Sequence, residues 1–186
     1  MVPDAAILDA NVLYPAPLRD ILLQLSVAGL YRARWSAEID QEWKRNLIAA
    51  RPHLAAQIER TNAMMHRAVP EASVLGHAGL IPDLTLPDPD DRHVLAAAII
   101  AEAGVIVTYN LRDFPPEILT HFGIEAQHPD AFLMALESRD PMTFEASIRA
   151  CLSRLTRPPL TITAYLSNLR AIGLMQTAAL LDGKLL

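Results

Sequence analysis

The chain has 186 residues, a formal net charge of −5 and a hydrophobic fraction of 52%. This length suits one domain with its own core, or one domain with a small appendage, and the apolar content excludes a disordered chain. The single cysteine, Cys151, excludes an internal disulfide. With no secretory leader visible and no apolar stretch of roughly 20 residues, we expect a cytoplasmic protein without a membrane span.

The first predicted strand is short and apolar, covers Ala5–Leu8, and is followed directly by Asp9. A turn then leads into an apolar helix, Leu18–Ala28, that Gly29 ends. Ligands of open α/β sheets bind at the carboxyl ends of the strands, and Asp9 lies at such an end. A lone aspartate at this place is also an ordinary turn or cap residue.

A second strand is predicted at Ala33–Trp35, followed by a helix at Ala37–Ala49 with Ser36 as its N-cap. Glu42 borders the buried stripe of this helix, where a carboxylate costs free energy unless an arginine or a metal compensates it. The alternative is that Glu42 extends into solvent. Further along, another helix runs to Pro70, before a short strand and a loop that is rich in glycine and proline.

The stretch Leu86–Phe114 carries the densest set of acids, beginning with Asp88, Asp90 and Asp91. An apolar helix follows and is predicted to end at Gly104, and the β-branched strand Val105–Val107 comes next. A helix antiparallel to the strand after it begins near that strand's carboxyl end. We therefore expect Asp91 and Asp113 to meet at one rim of the sheet.

Two alternatives remain open for these acids. Asp91 is also well suited to act only as the N-cap of the helix. Asp88 and Asp90 are close enough in sequence to take the place of Asp91 at the rim.

After this stretch, the pattern predicts a short helix from Pro115–Pro116 to Gly123 and a last strand at Ile124–Gln127. From Pro129 the composition becomes helical throughout, with three amphipathic segments, the third capped by Thr161 or Thr163. We therefore divide the chain into an α/β domain at residues 1–128 and a helical annex at residues 129–186 that packs on it.

Four acids from separate elements are thus expected at one place: Asp9, Glu42, Asp91 and Asp113. Carboxylates converging on a rim repel each other unless a cation lies between them. An all-oxygen site suits Mg²⁺ or Mn²⁺, whereas zinc motifs and phosphate-binding glycine loops are absent from the sequence. Such a site is typical of phosphodiester cleavage, and the lack of a phosphate-binding glycine loop argues against a nucleotide cofactor.

The sequence resembles the PIN-domain family, in particular the VapC-like ribonuclease toxins of bacterial toxin–antitoxin pairs. The resemblance rests on Ile7–Leu13 (ILDANVL), Glu42, Asp91–Ala98 (DRHVLAAA) and Val107–Phe114 (VTYNLRDF). It implies a three-layer α/β/α fold with a central parallel sheet, to which this chain adds its C-terminal helical annex. It also implies Mg²⁺-dependent hydrolysis of RNA, an antitoxin partner and a homodimer.

The resemblance assigns roles to eight positions. The metal-binding acids match Asp9, Glu42, Asp91 and Asp113, and the supporting positions match Asn11, Asp90, Thr108 and Asn110. Many relatives carry an acid where Asn110 stands, and the short toxins lack the annex. Three arginines are candidates for steering the RNA backbone towards an acidic protein: Arg112, Arg92 and Arg45.

Two other functions are weighed against a nuclease. A PIN-like module that binds RNA or protein without cleaving it is an alternative, because Asn110 replaces an acid. A haloacid-dehalogenase-like phosphatase also begins with a strand and an aspartate, but it needs Asp-x-Asp, and here Asn11 takes the second place.

Overall fold

The computed structural model describes residues 4–156 and 160–185 of the chain. In this part of the chain, five strands are present: β1 (Ala5–Leu8), β2 (Arg32–Ser36), β3 (Ser73–Val74), β4 (Val105–Val107) and β5 (Glu125–Gln127). The same residues form ten α-helices: α1 (Ala10–Leu13), α2 (Ala16–Val27), α3 (Ala37–Ala50), α4 (Ala55–Ala68), α5 (Arg92–Ile100), α6 (Pro116–Leu119), α7 (Pro129–Arg139), α8 (Pro141–Arg154), α9 (Ile162–Ala171) and α10 (Met175–Leu185). None of these described helices has both the length and the apolar character needed to cross a membrane.

The strands form one parallel sheet in the order β3-β2-β1-β4-β5. Ile7 of β1 pairs with Arg34 on one side and with Ile106 of β4 on the other. The chain winds outwards from β1 in one direction and then restarts at β4 on the opposite side. Because parallel crossovers are right-handed, this change of direction places helices on both faces of the sheet. The predicted three-layer α/β/α fold is confirmed.

The central strands are buried on both faces, as expected for a parallel sheet between helices. All residues of β1 and β4 are buried, and α5 packs across β1, β2 and β4. Trp35 and Trp43 are fully buried beside them. Burial of a large apolar side chain contributes about 1.5–3 kcal/mol, so this layer holds the strand ends, and the loops on them, in fixed positions.

Local signals place the start of α3 correctly, whereas two other local predictions differ from the structure. Ser36 caps α3 as predicted, its Oγ accepting a hydrogen bond from the amide of Ile39 at 3.3 Å. The prediction that Gly104 ends α5 is wrong: the helix ends at Ile100, and Glu102 takes the left-handed conformation with φ 49°. The turn predicted after Asp9 is a one-turn helix that Asp9 begins.

The C-terminal segment contains four described helices, α7 to α10, where the pattern predicts three. Helix α8 packs on α2, and α7 packs on both α8 and α10. The first amides of the unpredicted helix α10 donate to the carboxylate of Asp130, which lies 46 residues before Gln176 in the sequence. A cap so far away in sequence leaves no local start signal of the usual kind.

Candidate active site

The site lies where the sheet changes its winding direction, between the carboxyl ends of β1 and β4. Asp9 follows β1, Thr108 follows β4, and the Thr108 hydroxyl donates to Asp9 Oδ2 at 2.7 Å. Asn11 Nδ2 donates to the same oxygen at 2.7 Å. These two bonds fix the orientation of the Asp9 carboxylate and join the two loops. Such a topological switch point is the general ligand-binding position of open α/β sheets.

Asp9 is held as a buried acid in unfavourable surroundings. Its residue is 3% exposed, and burial raises the pKa of Asp9 to about 6. The hydrogen bond from Thr108 opposes this shift, whereas the neighbouring charge of Glu42 adds to it. A group with these properties in a cleft is a typical functional residue.

Asp91 lies at the N-cap position of α5, but its side chain accepts no capping hydrogen bond. Asp88 caps the preceding 3₁₀ turn instead, accepting from the amide of Asp90 at 2.9 Å. Asp91 Oδ2 is buried and has no hydrogen-bond partner among the described residues. The side chain therefore does not act as the helix cap that the sequence allowed.

Three carboxylates converge at this place. Asp88, Asp91 and Asp113 each present an oxygen, and these oxygens lie within 4.8 Å of one another. Burial, followed by the charges of Asp9, Asp88, Asp113 and Glu42 in that order, raises the pKa of Asp91 to about 7. All four of the predicted acids thus interact at one rim, while Asp9 and Glu42 lie outside the tightest group.

Glu42 is compensated by a histidine that the sequence analysis missed. His93 Nε2 lies 3.6 Å from Glu42 Oε2, and the Glu42 side chain is 33% exposed. Burial alone would lower the pKa of His93, but the interaction with the nearby Glu42 carboxylate raises it above its usual value. The signal was the spacing within Asp91–Ala98, which puts His93 in the first turn of α5 beside the acids.

The remaining predicted positions are divided between the rim and its surroundings. The Asn110 side-chain amide donates to Asp113 Oδ2, so it holds one of the clustered carboxylates. Asp90 is exposed, and it does not belong to the three-carboxylate group. Arg92 Nε donates to the carbonyl of Pro89 at 2.8 Å.

The two other predicted arginines, Arg45 on α3 and Arg112 beside Asp113, are exposed.

The donor set fits a hard divalent cation. It consists of carboxylate oxygens, which suit Mg²⁺ and Mn²⁺ and do not favour zinc. The buried and unpartnered Oδ2 of Asp91 is an acceptor that the protein itself leaves unsatisfied. Since neighbouring carboxylates oppose the charged form of Asp91, a cation would relieve both its unpaired oxygen and the repulsion.

Comparison with known proteins gives matches for both parts of the chain. Residues 5–112 match the family described as "PIN domain", and residues 129–183 match the family described as "VapC50 C-terminal domain". A curated protein of Mycobacterium tuberculosis, named "Putative ribonuclease VapC50", is 40% identical over 79 residues. These matches confirm the resemblance predicted from the sequence.

The alignment with this relative covers 42% of the present chain and 47% of the relative, so the match spans about half the length of that protein. No solved structure matches the chain significantly.

Proposed function

Since this chain belongs to the PIN-domain family, we propose that it is a metal-dependent endoribonuclease and the toxin of a toxin–antitoxin pair. The observation that carries the proposal is the convergence of Asp88, Asp91 and Asp113 within 4.8 Å, with Asp9 and Glu42 acting on the same site. The relative's name describes a ribonuclease, which supports the same reaction class.

In this proposal, Asp9, Glu42, Asp91 and Asp113 hold Mg²⁺ or Mn²⁺, and Asp88 is a further candidate ligand. A divalent ion so held lowers the pKa of a bound water and polarises a phosphoryl oxygen, which is the chemistry of phosphodiester hydrolysis.

The remaining polar groups of the rim position the acids. Thr108 and Asn11 both donate to Asp9 Oδ2. The other carboxylate oxygen, Oδ1, accepts a hydrogen bond from the amide of Ala10 at 2.7 Å. Asn110 donates to Asp113 and so restricts that carboxylate. Asp90 is the fourth supporting residue, and its amide donates to Asp88 Oδ1 at 2.9 Å in the turn that precedes Asp91.

RNA binding requires cations near the acids, because the rim and the protein as a whole are negative. Arg92 directly follows Asp91, Arg112 directly precedes Asp113, and Arg45 lies three residues after Glu42 on α3. Arginine suits phosphate oxygens because its planar group donates two parallel hydrogen bonds. We propose that these three side chains steer the RNA backbone across the rim.

The toxin role requires a partner that silences the site. We propose an antitoxin that covers the carboxylate rim with a basic side chain, since an arginine there would take the place of the cation. Assembly of two copies of this chain is a further part of the proposal, which light scattering of the purified protein tests directly.

The competing function is a PIN-like module that binds RNA or protein without cleaving it. Asn110 favours this alternative, because an amide replaces a carboxylate that many relatives have. The hydrogen bond from Asn110 to Asp113 favours the nuclease instead, since Asp113 supplies a carboxylate three residues later. Calorimetric titration with Mn²⁺ separates the two, because an inactive site without the acid should bind Mn²⁺ weakly.

The direct test is cleavage of single-stranded RNA by the parent and by Asp9→Asn, Asp91→Asn and Asp83→Asn variants. We expect the first two to lose at least about a hundredfold in Mg²⁺-dependent rate. The matched control Asp83 is exposed and lies outside the carboxylate group, so its variant should retain the parent's rate. Circular dichroism verifies folding. Parent-like cleavage by both rim variants would show that the site is elsewhere.

A further inference from the structure

Tyr109 extends from the active-site rim to the C-terminal helices. It follows Thr108 directly, and its hydroxyl donates to the carbonyl of Ile172 at 2.6 Å, in the turn between α9 and α10. Its ring packs edge-on against His128, with centroids 5.1 Å apart and planes at 80°. The side chain of Tyr109 therefore contacts the annex at Ile172 and also packs against His128, the residue directly before the annex, although its main chain belongs to the rim.

The backbone of Tyr109 is bonded to the residues that surround Asp9. Its amide donates to Asn11 Oδ1 at 3.1 Å, and the Asn11 amide group donates in turn to Asp9. The next amide, that of Asn110, donates to the Thr108 hydroxyl at 2.9 Å. A displacement of Tyr109 would therefore alter the hydrogen bonds that orient Asp9, as well as the turn that carries Asp113.

The acceptor of the Tyr109 hydroxyl is itself well anchored. Asp130, which is 4% exposed, accepts hydrogen bonds from the amides of Gln176 and Thr177 and so holds the first turn of α10. Gly173 adopts φ +84°, and a Cβ there would lie 3.7 Å from the Tyr109 ring. The turn thus approaches Tyr109 closely. Its left-handed backbone at residue 173 suits glycine, and a residue with a side chain would be strained there.

The Tyr109 hydroxyl remains a donor under all ordinary conditions. Burial raises the pKa of Tyr109 to about 12, and the charge of Asp130 adds to the shift. The link between rim and annex therefore does not titrate near neutral pH.

We propose that Tyr109 is a positioning residue through which the turn between α9 and α10 holds the loop carrying Asn110 and Asp113 in place. The annex then takes part in the geometry of the carboxylate cluster. The proposal rests on the proposed function only where it treats Asp113 as a metal ligand; the mechanical link between annex and loop does not depend on it.

The test compares Tyr109→Phe with the matched variant Tyr31→Phe. The Tyr31 hydroxyl also donates to a backbone carbonyl, that of Leu22 at 3.0 Å, and its ring also packs edge-on against an aromatic side chain. Both variants thus lose the same atom and the same kind of bond. Tyr109 follows β4 at the rim, whereas Tyr31 precedes β2 and so lies at the opposite, amino end of the sheet.

The first measurement is amide hydrogen exchange of the metal-free protein. We expect exchange at Asn110 and Asp113 to rise about tenfold in Tyr109→Phe, since the loop loses one hydrogen bond to the annex. In Tyr31→Phe these amides should exchange as in the parent. Equal exchange of the loop in both variants overturns the proposal, whatever the activities are.

The second measurement is Mn²⁺ affinity by calorimetry. Outer residues that orient metal ligands typically change affinity by about 10- to 100-fold, so we expect at least about a tenfold loss in Tyr109→Phe and none in Tyr31→Phe. A parent that neither binds Mn²⁺ nor cleaves RNA refutes the proposed function, and faster loop exchange in Tyr109→Phe would still support the link. A change in exchange without a change in Mn²⁺ affinity refutes the role at the metal site.

Discussion

Asp130 and Asp91 each lie at or near the start of a helix, yet their surroundings are opposite. Asp130 is buried and accepts hydrogen bonds from the amides of Gln176 and Thr177 and from the Thr177 hydroxyl, at 2.7–2.9 Å. Asp91 is half-buried, its Oδ2 has no partner among the described residues, and burial together with four other carboxylates raises its pKa. Donors converge on the first carboxylate, and further acceptors converge on the second.

The difference shows that aspartate can stabilise the fold in one region and be kept for ligand binding in another. A buried charge is tolerated when hydrogen-bond donors replace its water, and it destabilises the fold when like charges surround it. Asp130 therefore joins α7 to α10, whereas Asp91 holds an unfavourable negative charge that a bound ligand could neutralise. Such a cost is common where function requires a group that folding alone would not retain.

The largest expected effect on the free energy of unfolding concerns Asp130, the carboxylate that stabilises the fold. Asp130→Ala leaves two amides and one hydroxyl without their acceptor, so we expect the free energy of unfolding to fall by about 3 kcal/mol. Thr177→Val removes only one of the three bonds and should cost about 1 kcal/mol. Urea denaturation measures both, and a loss in Asp130→Ala no larger than in Thr177→Val would contradict this account.

The next effect has the opposite sign and concerns Asp91. The pKa values of Asp9 and Asp91 are raised from 3.8 to about 6 and about 7, so the folded protein binds more protons than the unfolded chain within that window. The stability of the metal-free protein should therefore fall as pH rises from about 4 to about 7. Allowing for solvent screening, Asp91→Asn should gain about 1 kcal/mol at about pH 8 and nothing near pH 4.

Denaturation in the presence of a chelator at both pH values measures this gain. Added Mn²⁺ should stabilise the parent at about pH 8, because it binds only the folded site, and should stabilise Asp91→Asn far less. A variant that is less stable than the parent at both pH values would show that Asp91 serves the fold.

The smallest effect concerns the pair formed by Glu42 and His93. The pKa of His93 is raised above its usual 6.5, so its contribution to stability is present below that value and is lost as pH rises through the raised pKa. We expect His93→Gln to destabilise the protein by about 0.5 kcal/mol at about pH 6 and by almost nothing at about pH 9. Thermal unfolding at the two pH values tests this, and an equal loss at both would indicate packing instead of charge.

Sequence patterns were informative where a residue's neighbours are close in the chain. The β-branched run Val105–Val107 and the capping serine Ser36 placed a strand and a helix start correctly. Patterns failed where the partner is distant: the first amides of α10 donate to Asp130, and Glu42 is compensated by His93 from another helix. The predicted end of α5 was also wrong, because Glu102 adopts the left-handed conformation that is usual for glycine.

The amino-acid sequence by itself determined the parallel α/β architecture and the set of acids that lie at strand and helix ends. These follow from local hydrophobic patterns and from the direction in which strands and helices run. Only the tertiary structure decided that Asp88 joins Asp91 and Asp113 in the tightest group, and that Tyr109 reaches the turn after α9. Distances between side chains depend on how separate elements pack, and no local pattern encodes a contact between residues that are 63 positions apart.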